Sequence, residues 1–152
     1  MSMNMSLKQA SEMELARFAR DGVDEDELAG GAGALELDKA WHVLHYLLTG
    51  RQADGPMPAA TLLRGGREVG EDLGYGPARA LSAQETKAFA QFLAGQTTAA
   101  LAARIDVDAM EQLGIYCADD DSADDVDHYF PQLQAYVGDA AKNGHGLLIW
   151  MM

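Results

Sequence analysis

With one cysteine, Cys117, the chain can form no intramolecular disulfide. Such usage suits a reducing compartment, and a cytoplasmic location is expected. Long apolar runs are missing as well: no stretch approaches the roughly 20 residues of a membrane span. The opening Met1-Ser2-Met3-Asn4-Met5-Ser6-Leu7-Lys8 has no basic region followed by an apolar core, so a soluble, non-secreted protein is expected. Basic residues are scarce, 11 Lys and Arg against 24 Asp and Glu, for a formal net charge of -13. A field of that sign repels phosphate backbones and anionic lipid heads, which argues against nucleic acid and membranes; it suits a basic protein partner or a cation, and equally a charge that serves solubility alone. No Gly-x-Ser-x-Gly elbow, His-Glu-x-x-His pair, Walker lysine or paired cysteines occur. The sequence therefore carries no catalytic signature, cofactor motif or metal set.

What is present reads as one domain over residues 1–152, long enough to bury a core without staples. Met1, Met3, Met5 and Leu7 alternate with polar residues, the pattern of a strand with one buried face. Ser11 with Glu14, and Ser82 with Glu85, are capping boxes. Apolar stripes at helical spacing follow them, with Met13, Leu15, Phe18 and Ala19 in the first and Thr86, Phe89, Phe92 and Leu93 in the second. Asp38 is placed to cap a helix carrying Trp41, Leu44, Leu47 and Leu48, which Gly50 stops. Between them, residues 23–34 read as a solvated acidic and glycine-rich connection, with room for one short helical turn.

Glycine and proline punctuate residues 51–77, leaving room for short extended pieces at Glu68-Val69-Gly70 and Ala78-Arg79-Ala80. Short helices are expected from Thr97 or Thr98 to Arg104 and from Asp108 to Leu113, then a long one capped by Ser122 or Asp124 with Tyr129, Phe130, Leu133, Tyr136 and Val137 inward. The terminal Gly146-Leu147-Leu148-Ile149-Trp150-Met151-Met152 is a buried strand. The expectation is an α+β fold: a small mixed sheet including the N- and C-terminal strands, paired at its centre and covered by several helices.

Three motifs stand out together. The first is Asp38-Lys39, Trp41, Leu44-His45 and Leu48-Thr49-Gly50. The second is Gly65-Gly66, Asp72, Tyr75-Gly76-Pro77-Ala78-Arg79 and Leu81, and the third is Gly114-Ile115-Tyr116. All three resemble the YfbM-like family of small bacterial proteins, whose pattern continues from the third into a proline and, a little later, a tryptophan, where this chain has Cys117 and an aspartate-rich stretch. The resemblance spans nearly the whole chain and implies a fold, but it brings no reaction with it.

Three groups of residues bear on function. Asp38, His42 and His45 fall at i, i+4 and i+7 on one helix flank, a spacing that permits a shared ligand and equally suits a cap, a solvent-facing histidine and a histidine bonded at the core margin. Gly74 to Arg79 combines permissive glycines, a rigid proline, a phenol and a guanidinium, the ingredients of an anion or carboxylate site or of a structural turn. His45, Tyr75 and Arg79, carried by the resembling motifs, are the candidate ligand-binding residues. Asp119, Asp120, Asp121, Asp124, Asp125 and Asp127 form the candidate partner-binding face, without the ligand order of a calcium loop. The leading expectation is a non-catalytic interaction module with an acidic surface. The alternative is a small-molecule binder or hydrolase-like enzyme with a pocket between the His45 helix and the 75–79 loop.

Overall fold

The computed structural model describes residues 2–23, 25–29 and 33–152. The sequence expectations for Met1, Asp24, Gly30, Gly31 and Ala32 lie outside them. Among the described residues five strands, β1 (Met5–Ala10), β2 (Leu35–Asp38), β3 (Arg67–Asp72), β4 (Pro77–Leu81) and β5 (Gly146–Met151), form one sheet in the order β2-β1-β5-β4-β3. All four ladders are antiparallel, where the sequence suggested a mixed sheet. The first and last strands pair over their full length, Met5 opposite Met151 through Ala10 opposite Gly146. The α+β expectation and the central pairing of the termini both hold.

Eight helices accompany the sheet among the described residues: α1 (Glu12–Asp21), α2 (Glu25–Ala29), α3 (Trp41–Thr49), α4 (Thr61–Arg64), α5 (Ala83–Ala94), α6 (Thr98–Ala102), α7 (Val107–Gln112) and α8 (Ser122–Lys142). Both capping boxes form, with Ser11 and Ser82 each exchanging hydrogen bonds with the glutamate three residues on. Alternation along β5 sorts the core into two layers. Leu147 and Ile149 join Met5, Leu7 and Leu81 in a large cluster under α3 and α5 to α8, while Leu148 and Trp150 join Phe18, Leu28, Val69 and Ala78 under α1 and α2. A strand covered on both faces needs no polar alternation, which explains its continuous apolar run. Trp41, Leu44, Leu48, Phe89, Leu133 and Trp150 are all buried, as their stripes require. Met13 departs from its expected stripe and is 85% exposed on α1.

Gly146 marks the tightest point of the sheet. A Cβ built on it would lie 2.1 Å from the Leu81 carbonyl oxygen of the neighbouring strand. Because backbone rather than a flexible side chain blocks the space, Gly146→Ala should force β4 and β5 apart and cost at least about 1–3 kcal/mol. Urea unfolding would reveal this as a lowered midpoint, and a wild-type midpoint would show that the strands yield without penalty.

Candidate functional site

Helix α3 follows a strand rather than an aspartate cap. Asp38 ends β2 with a left-handed φ of 49°, and Ala40 occupies the N-cap position without a side-chain bond. The cap expectation is therefore corrected: the Leu35 and Leu37 alternation takes Asp38 into the sheet, where its carboxylate accepts a 2.6 Å hydrogen bond from the Tyr129 hydroxyl. That bond to a carboxylate helps push the tyrosine pKa up to about 12.

Both histidines of α3 face inward. His42, expected at the solvent, is buried instead; its Nδ1 accepts the Tyr116 backbone N–H at 2.8 Å, and its Nε2 lies 2.7 Å from the Gln52 carbonyl. The pair of contacts fixes the neutral Nε2–H tautomer. His45 is 0% exposed, donates through Nε2 to the Asp54 carbonyl at 3.1 Å, and leaves Nδ1 buried with no partner. Desolvation lowers the pKa of both rings, that of His45 to about 4. Arg64 donates through Nε to the Ala53 carbonyl between them at 2.8 Å.

The glycine loop does hold a carboxylate, and it is the chain's own. Asp72 Oδ1 accepts the backbone N–H groups of Gly74 at 2.7 Å and Gly76 at 3.1 Å, and both glycines have positive φ. Two amides aimed at one oxygen form a small anion nest. Tyr75, between them, is 38% exposed. Arg79 turns the other way: its guanidinium donates to the carbonyls of Thr61 at 3.2 Å, Gly65 at 2.5 Å and Leu62. The positive charge of Arg64 bears on both His45 and Arg79. Five surface depressions have none of His45, Tyr75 and Arg79 in their linings.

One of those depressions, of about 520 Å³, brings together groups far apart in sequence. Asp38 and Tyr129 meet Asp119, Asp121 and Asp125 around it, with Lys39 and Cys117 also in its lining. Asp120, Asp124 and Asp127 lie exposed on the same segment. Ser122 opens α8 and is buried, its hydroxyl accepting the Asp119 N–H at 3.1 Å, so it organises the aspartate turn and does not cap the helix from outside. The Asp125 carboxyl is held above the ordinary carboxylate range, first by desolvation and then by the charges of Asp119, Asp121 and Asp124. The second of these causes is a like-charge repulsion that a cation would relieve. Among the described residues no three of His, Cys, Asp and Glu are placed to hold a metal ion. Sequence reasoning missed Asp38 and Tyr129 as members of this face; β2 and α8 carry them to it, and the Leu35 and Leu37 alternation was the available signal.

This α+β architecture, two helical layers on an antiparallel sheet, is that of a family with no assigned activity. The chain belongs to the family described as "Domain of unknown function (DUF1877)", which matches residues 1–150. Among solved structures it is similar to a protein of unknown function, YfbM from Escherichia coli, with a TM-score of 0.76 and 17% sequence identity over 100% of each chain. At that identity the likeness shows the fold alone. No curated protein matches the chain. Among the described residues no helix is long and apolar enough to cross a membrane.

Proposed function

We propose that the protein is a non-catalytic interaction module that receives a basic protein on the acidic face built from Asp38 and residues 119–127. The observation that carries this reading is the 520 Å³ depression with Asp38, Asp119, Asp121 and Asp125 around it, in a chain of net charge -13. Lys39 is the one Lys or Arg in its described lining. A lysine or arginine side chain entering there would relieve the aspartate repulsion that adds to the desolvation of Asp125. Long-range attraction from such a face acts mainly on the rate of encounter.

Replacing Asp119, Asp120 and Asp121 together by asparagine is expected to slow association with a basic partner about tenfold at low salt and to flatten its salt dependence. The partner would come from capture on the wild-type protein in native extract at low and moderate salt. Stopped-flow association of wild type and variant then decides. Equal rates at low salt would leave the aspartates as solubilising charges.

The small-molecule reading, with a pocket between α3 and the 75–79 loop, rests on the unpartnered Nδ1 of His45. It draws less support from its surroundings. His45 is sealed from solvent, and Arg79 spends three of its five N–H groups on carbonyls of the chain itself.

A further inference from the structure

Residues 51–60 form a strap without helix or strand between α3 and α4. Among the described residues no backbone-to-backbone hydrogen bond holds 51–55. Side chains hold them instead: Thr49 Oγ1 contacts both the N–H and the carbonyl of Arg51, and His42, Arg64 and His45 take the successive carbonyls of Gln52, Ala53 and Asp54. Two of these three ties are Nε2–H bonds from imidazole rings buried on α3, surroundings that suit an uncharged ring and penalise a charged one. We propose that His45, seconded by His42, is an acid-sensitive latch: neutral, it ties the strap to α3, and protonation at Nδ1 releases residues 51–60 from that helix while the core stays folded.

The chemistry follows from what surrounds each ring. With Nε2–H committed to the Asp54 carbonyl, Nδ1 carries the free lone pair of His45 and is where a proton from solvent must add. That new N–H would be buried without an acceptor, and the cation would sit in a desolvated place. The charges acting on it are His42 one turn earlier on α3 and Arg64 on α4, both opposing protonation, and Asp54 on the strap, which favours it. Helix α8, also packed on α3, contributes no charge that acts on His45. His42 works in the same direction, since protonating its Nδ1 breaks the bond from the Tyr116 N–H.

A swung-out strap lets His45 reach water and regain an ordinary pKa. The closed state has the depressed value, so closure is fully favoured above the ordinary value of 6.5 and is lost as pH falls from there toward about 4. The side chains on the Gln52, Ala53 and Asp54 carbonyls are two histidines and an arginine, with no carboxylate among them, which separates the latch from general acid unfolding.

Hydrogen exchange of the full chain, corrected for the intrinsic pH dependence of exchange, tests this at neutral pH and at about pH 4. Protection of residues 51–60 is expected to fall about tenfold or more on acidification while α8 keeps its protection. His45→Gln retains an N–H for Asp54 but cannot take up a proton, and its strap should respond much less. Parallel loss in strap and α8, an unresponsive wild-type strap, or an equal response in His45→Gln would each overturn the latch. Should that variant not fold, imidazole nitrogen spectra of the wild type decide: the Nε2–H tautomer of His45 persisting to about pH 4 supports the latch, and titration at the ordinary histidine midpoint overturns it.

Discussion

Arg79→Ala is expected to destabilise the protein by about 3–5 kcal/mol with no ligand in play, since charge-assisted hydrogen bonds contribute about 1.5–3 kcal/mol each and abandoned buried carbonyls carry a further cost. The guanidinium collects the carbonyls of Thr61, Leu62 and Gly65 at the end of α4. A helix of four residues satisfies few of its own carbonyls: that of Thr61 takes the Gly65 N–H, and the guanidinium reaches it together with those of Leu62 and Gly65 at the negative end. Burial lowers the Arg79 pKa to about 10, which still leaves it charged at neutral pH. Arg79→Lys separates shape from charge. One ammonium lacks the planar fork that spans several carbonyls, so this variant should lie between wild type and alanine in urea midpoint. Wild-type midpoints for both would free Arg79 from architecture and return it to the small-molecule reading.

The same arithmetic explains why a glycine-rich middle folds at all. Residues 51–66 have few regular backbone hydrogen bonds, yet His42, His45, Arg64 and Arg79 bring donors to six of their carbonyls. A concentration of basic groups inside a strongly acidic protein is thus spent on the backbone. The motif residues that stand out in the sequence, His45 and Arg79 among them, stand out because an irregular segment must find its hydrogen-bond partners in side chains.

Legibility in the sequence followed the range of the forces involved. The Ser11 and Ser82 caps, the stripe of α5 and the doubly buried β5 were readable because each depends on neighbours within a few residues. Strand β2 was hidden by its shortness, although Leu-Glu-Leu-Asp has the alternation of its buried and exposed faces. Asp38 looked like a cap because caps are local, whereas its actual partner, Tyr129, is 91 residues away. His42 looked exposed for the same reason: only tertiary structure brings Tyr116 and Gln52 to its two nitrogens. The 119–127 aspartates could be read as an exposed cluster, but not the depression they make with Asp38.

Trp41→Ala is expected to cost about 3–5 kcal/mol, measured as a lowered Tm by circular dichroism. The buried indole stacks on His42 with ring centroids 4.9 Å apart and on Tyr116 at 5.7 Å. Its Nε1 donates to the Met3 carbonyl at 2.9 Å, while the Tyr116 hydroxyl accepts the Met3 N–H at 3.2 Å. Two of the resembling motifs therefore close on both polar groups of one residue at the entrance to β1. Truncation leaves a cavity, strips one face of His42 and orphans the Met3 carbonyl together, so the loss should exceed that of an isolated apolar side chain. Trp41→Phe keeps most of the stacking and removes only the N–H, which predicts a cost nearer about 1 kcal/mol. If the alanine variant melts with the wild type, the indole contributes no packing energy; if phenylalanine costs as much as alanine, the bond to Met3 outweighs the stack.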